Sequence, residues 1–205
     1  MKNKIGWWSV GILSLFMASP AFADKPRIYL VADLGYAKTY YGNNSSIQNF
    51  VSTQQPNLSS HLPLVFDLAG MRGLGTHWAL GIGLDSTLDY YYQNSTGSLG
   101  TANAGDVTDI GFVATVRYSF GSSPLSGLYL RGDVGLGVLN TSSNVYSFSA
   151  QSPSATGLFL LGGAGFNLPI SPHAALHAES DYMRNFISGG SIGALEPIVG
   201  IVVLL

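Results

Sequence analysis

The side chains able to do chemistry in this chain are mostly carboxylates, and they stand inside apolar stretches. Asp33, Asp67, Asp85, Asp89, Asp109, Asp133 and Asp181 each have Leu, Ile, Val, Gly or Tyr as a neighbour, Glu179 lies between Ala178 and Ser180, and Arg117 and Arg131 lie in apolar surroundings too. Acids and guanidiniums sharing an interior would pair and hydrogen-bond, or an excess of acids would favour cations. His173 and His177 could suggest a metal, but four residues along a strand separate them by about 13 Å, too far for one ion. His177, Glu179 and Ser180 could suggest ester hydrolysis of a membrane lipid. Adjacent residues of a strand point to opposite faces, however, so Ser180 is turned away from the other two. Gly70 to Gly75 is glycine-rich but leads into a turn and a strand, not the helix N-terminus that a phosphate loop needs. No catalytic, cofactor or metal motif is expected.

These residues have to be positioned by strands. From Trp78 to Tyr92, Trp78, Leu80, Ile82, Leu84, Leu88, Tyr90 and Tyr92 share one face, with Ser86 interrupting; Ala79, Gly81, Gly83, Asp85, Thr87 and Asp89 share the other. Period two over such a length marks a β-strand. The same alternation runs over Ile28–Tyr40, Leu62–Arg72, Val107–Phe120, Leu128–Leu139 and His173–Arg184. Gly157–Leu168 and Pro197–Leu205 are apolar on both faces, so their registers are not assigned by pattern. Eight strands result, joined by tight links at Gly73–His77, Gly121–Ser126 and Pro169–Pro172. Longer polar connections are expected at Gly42–His61, Gln93–Gly105, Thr141–Ala155 and Asn185–Gly193, giving four outer loops.

The first residues have the form of a secretory leader. Lys2 and Lys4 precede an apolar run from Ile5 to Met17 and the small-x-small motif Ala21-Phe22-Ala23. Residues 1–23 are expected to be removed, leaving 24–205 as one barrel domain. Without Lys2 and Lys4, seven Lys and Arg stand against eleven Asp and Glu, a formal charge of −4 that gives nucleic acid no attraction. Charged residues are 10% of the chain, against roughly 25% in soluble domains, so much of the surface need not face water. There is no cysteine, and the apolar runs past the leader are too short or glycine-broken for a spanning helix. A membrane crossing would therefore be made by strands.

Alternation alone fits an apolar-outside membrane barrel or an apolar-inside soluble one that binds a ligand. The small face decides for the first: Ala79, Gly81, Gly83, Gly111, Gly135 and Gly137 suit the narrow interior of eight strands better than a watered surface. Asp33, Asp67, Asp85, Asp133, Arg117, Arg131, His177 and Glu179 then form a lumen network, with the arginines toward the short-turn end. Trp78, Tyr118, Phe120 and Tyr129 beside the short turns, and Tyr40, Tyr90, Tyr92 and Tyr182 toward the long connections, are expected at the two membrane interfaces.

In the leader, the opening strand Tyr29-Leu30-Val31-Ala32-Asp33-Leu34-Gly35-Tyr36, the Trp78–Tyr92 strand and Leu128–Gly137, the chain resembles the small OmpA/OmpX-type, opacity-protein-like outer-membrane barrels. The likeness covers nearly all of residues 24–205. It departs at Val203-Leu204-Leu205, where that family ends in an aromatic residue. The resemblance implies an all-β, eight-stranded antiparallel up-and-down transmembrane barrel in the bacterial outer membrane, monomeric and surrounded by outer-membrane lipid. It implies a non-enzymatic role in envelope structure or in binding a surface ligand through the loops. A narrow cation-preferring channel and an outer-membrane lipid hydrolase are the alternatives.

Overall fold

The computed structural model describes residues 27–42, 58–93, 102–121, 123–143, 155–188 and 190–205. The expected leader lies outside these residues, as do 43–57, 94–101 and 144–154 of the expected loops and the side chains of Tyr90 and Tyr92. Among the described residues, nine strands form one antiparallel sheet: β1 (Ile28–Tyr36), β2 (Lys38–Tyr41), β3 (Leu58–Leu74), β4 (Trp78–Gln93), β5 (Ala102–Ser119), β6 (Gly127–Ser143), β7 (Ala155–Ser171), β8 (Ala174–Ile187) and β9 (Gly190–Leu204). There is no helix among the described residues. β1 and β2 are two halves of one stave, and because β1 pairs with both β3 and β9 the sheet closes into an eight-staved barrel without a free edge.

The break within the first stave has a local cause. Ala37 donates its amide to Pro63 O at 3.2 Å, but Pro63 has no N–H to return the bond. One ladder bond is thus missing where β1 gives way to β2.

Register fixes the barrel's shape. Stepping from Ile28 across successive paired residues, through Arg72, Gly132, Gly162 and Tyr182, returns to the first stave at Lys38, ten residues on. For eight staves this shear tilts the strands by about 40° to the axis. Odd and even residues separate accordingly. Leu34 is 64% exposed and Leu136 68%, while Asp33 is 1% and Leu139 0% exposed. On β7, whose faces the sequence leaves open, Leu158, Leu160 and Phe166 point out and Phe159, Leu161 and Asn167 point in.

Two expectations are corrected. The Asn185–Gly193 connection is no long loop: β8 runs to Ile187, β9 begins at Gly190, and those two residues pair. Only two residues separate Ile187 from Gly190 in the chain, so the polar composition of 185–193 belongs largely to strand. Tyr129 does not join the interfacial ring. It follows Leu128 by one residue, faces the lumen and is 1% exposed.

The remaining short-turn aromatics do meet on the outside. Trp78 and Tyr118 pack edge-on with ring centroids 4.7 Å apart, and Tyr118 meets Phe120 at 5.0 Å. Gly75, at φ 76°, makes the left-handed bend that β3 needs to turn into β4.

Candidate functional site

The interior is filled in layers. At the short-turn end, Tyr29, Val31, Met71, Leu125, Ala175 and Val202 form an apolar floor. Nearer the loop end, Val65, Val113, Phe159, Leu161, Met183 and Ile198 form a second apolar layer. Between and around them lie the ionisable groups, all inward because they fall on the small-residue parity of their strands.

The lower cluster centres on His177 of β8. Its Nε2 contacts Asp33 of β1, and its Nδ1 lies 2.7 Å from the Tyr129 hydroxyl of β6. That hydroxyl donates to Glu179 Oε2 at 2.5 Å, and Arg117 of β5 donates to the same oxygen at 3.2 Å while its guanidinium stacks 3.7 Å from the Tyr129 ring centroid. Asp33, His177 and Glu179 bring ligand atoms within 4.8 Å of one another, a spacing a cation could use. The Arg117 guanidinium already supplies a positive charge there, 3.5 Å from His177 Nδ1. The arrangement therefore acts as a hydrogen-bonded ion-pair relay joining four staves.

Arg131 of β6 organises the upper cluster. It donates through Nε and Nη2 to Asp133 Oδ2 at 3.0 and 2.5 Å, and through Nη1 to Asp67 on β3. Asp181 lies 3.9 Å from the same Nη1 and Glu179 4.0 Å. The need for such a bridge is visible in the register. Asp33, Asp67 and Asp85 are side by side on β1, β3 and β4, and like charges directly opposite in a sheet repel. Glycines make the room: a Cβ on Gly163 would overlap Asp181 Oδ1, and one on Gly200 would overlap Asp33 Oδ1.

Nearer the loop end, Asp109 accepts from Asn185 at 2.7 Å, and Asp89 accepts from Thr39 at 2.9 Å and Tyr41 at 2.5 Å. Glu196, which no alternation in its apolar strand marks as inward, is fully buried opposite Asp181 and accepts from Thr87 at 2.7 Å. The signal for it was the tight β8–β9 turn: once Ile187 pairs with Gly190, residue 196 must face inward beside residue 181. Among the described residues, nine acidic side chains thus line the lumen, against two arginines and His177. Asp85 Oδ1, Asp109 Oδ2 and Glu196 Oε2 accept no hydrogen bond among the described residues.

Groups that could have served hydrolysis do not converge. His177 and Glu179 are enclosed, Ser180 faces outward on the same strand, and His173 is exposed at the short-turn end. Among the expected interfacial aromatics, Trp78, Phe120, Tyr40 and Tyr182 are exposed on the outer face and Tyr118 is half-buried there.

No family model matches the chain, and none of the curated proteins does. Solved structures do. Neisserial surface protein A is 15% identical with a TM-score of 0.51, the match covering 87% of this chain and 99% of that one. The outer membrane protein OprG of Pseudomonas aeruginosa is 10% identical with a TM-score of 0.50, covering 88% of this chain and 96% of that one. The closed sheet, apolar outside and ionic within, has the fold of the small eight-stranded outer-membrane β-barrels.

Proposed function

We propose that this chain is a secreted, monomeric outer-membrane barrel without enzymatic activity, whose wall is held by a filled lumen and whose connections at the end away from the termini meet the cell's surroundings. Residues 1–23 are the leader and 24–205 the barrel. The short turns and both termini of the barrel face the periplasm, and segments 43–57, 94–101 and 144–154 face outward, the orientation usual for such barrels. The observation that carries this reading is the continuous side-chain filling of the interior: apolar floor, ionic layer and apolar upper layer are all under 10% exposed. Eight staves leave room for side chains and little else.

Two measurements test it. The protein should sediment with the outer-membrane fraction on a sucrose gradient, and planar bilayers containing it should show no discrete conductance steps. Reproducible steps would overturn the filled lumen in favour of a cation-preferring path. The nine inward carboxylates, eight of them with an oxygen lacking a hydrogen-bond partner among the described residues, favour that second reading. A role in surface interaction predicts that cells displaying a variant shortened within 43–57 lose binding to a target that cells with the intact protein hold.

A further inference from the structure

The outer face of the barrel is not uniform. A groove of about 640 Å³ runs across β4 to β8, floored by Ala114, Gly132 and Gly162 and walled by Val134, Leu160 and Tyr182. Arg184 and Phe186 stand at its upper end. Gly132 and Gly162 are cross-strand partners on the lipid-facing parity, and a Cβ at Gly162 would meet nothing within 4 Å. The depression exists because two neighbouring staves carry no side chain at the same level.

Arg184 is exposed, its guanidinium 5.0 Å from the Phe186 ring centroid and 3.2 Å from Ser191 Oγ. Lys38, also exposed, extends over Tyr40 at 5.6 Å on the far side of β9. Lys38 pairs with Leu195 and Arg184 with Gly193, so the two cations straddle β9 with their Cα atoms about 11 Å apart. With strands tilted about 40°, each sideways step climbs about 3 Å and each residue about 2.5 Å. Arg184 and Lys38 then sit about 24 and 25 Å above Ile28, at the top of an apolar band about 25 Å tall. The groove floor lies about 12 to 16 Å above Ile28, below Arg184. Among the described residues, the outward positions of β2, β8 and β9 hold no Asp or Glu.

We propose that this face binds a phosphorylated glycolipid of the lipid A class, with an acyl chain in the groove and its two phosphates on Arg184 and Lys38. The proposal rests on the outer-membrane reading above. Two cations set apart at one interface, with aromatic rings beside them, fit two phosphates on a rigid disaccharide better than the single phosphate of a phospholipid. Guanidinium and ammonium each make charge-assisted hydrogen bonds to phosphate oxygens.

The test uses the folded barrel in phosphatidylcholine nanodiscs, titrated with bisphosphorylated lipid A, with monophosphoryl lipid A and with phosphatidylglycerol. Bisphosphorylated lipid A should bind most tightly. The double change Arg184→Gln and Lys38→Gln should weaken it about tenfold or more. Gly162→Leu, which fills the groove with all charges kept, should weaken it similarly, and Leu136→Ala should not. Equal affinity for lipid A and phosphatidylglycerol, or unchanged affinity in the charge variant, overturns the proposal. So does cross-linking from Gly162→Cys that captures a second barrel in place of lipid. Should Gly162→Leu fail to fold, as judged by heat-modifiable migration, the charge variant decides alone. The sucrose gradient reads location independently: a protein sedimenting elsewhere ends the outer-membrane reading, while the nanodisc titration still judges the site.

Discussion

Arg131 is the residue on which the interior most depends. Four carboxylates lie within 4 Å of its guanidinium, and two of them, Asp67 and Asp181, stand beside another acid in the sheet. Arg131→Ala should cost about 3–5 kcal/mol, because it leaves buried charges without a counterion. The midpoint of urea unfolding in detergent micelles measures this, and a loss under about 1 kcal/mol would show that the acids need no cationic bridge. Two consecutive glycines offer a sharper comparison. Gly162→Ala adds a methyl to an open outer surface and should leave stability within about 0.5 kcal/mol, whereas Gly163→Ala forces Asp181 out of place and should cost about 2 kcal/mol or more. Equal costs would mean that the lumen yields as easily as the outer face.

Individual staves show where local pattern sufficed and where it failed. β4, β5 and β6 were legible because apolar and small residues alternate through them without ambiguity. β7 and β9 were not: Leu160-Leu161 and Val202-Val203 offer equal hydrophobicity to both faces. Only hydrogen-bonded neighbours of known parity settle them, as Arg131 opposite Gly163 does for β7 and Asp181 opposite Glu196 does for β9. The first stave's break at Ala37 makes its own prediction. In Pro63→Val the amide introduced at position 63 should bond Ala37 O and resist hydrogen–deuterium exchange. Rapid exchange at that amide would mean the break has another cause.

At the scale of the whole molecule, the barrel is an inverted globule, with Leu, Ile, Val and Phe outside and carboxylates inside. A lipid-facing charge should therefore cost more near the middle of the band than at its rim. Leu34→Arg, at an exposed outward position about 15 Å above Ile28, should cost about 2–4 kcal/mol of folding free energy in phospholipid vesicles. Tyr40→Arg, at the upper rim, should cost no more than about 1 kcal/mol. Equal costs at both depths would argue against hydrocarbon around the barrel.

The sequence by itself determined the strand period, the short turns and which face of most staves is small and ionic, because side-chain alternation and turn chemistry are local properties of the chain. It could not determine shear, which links the partners of Ile28 and Lys38 only after the sheet closes, nor the inward placement of Glu196. It also could not set Arg131 against Asp67 from across the barrel, or place Arg184 and Lys38 on either side of β9. Those relations arise between residues far apart in the chain, and closure of the barrel is the physical event that brings them together.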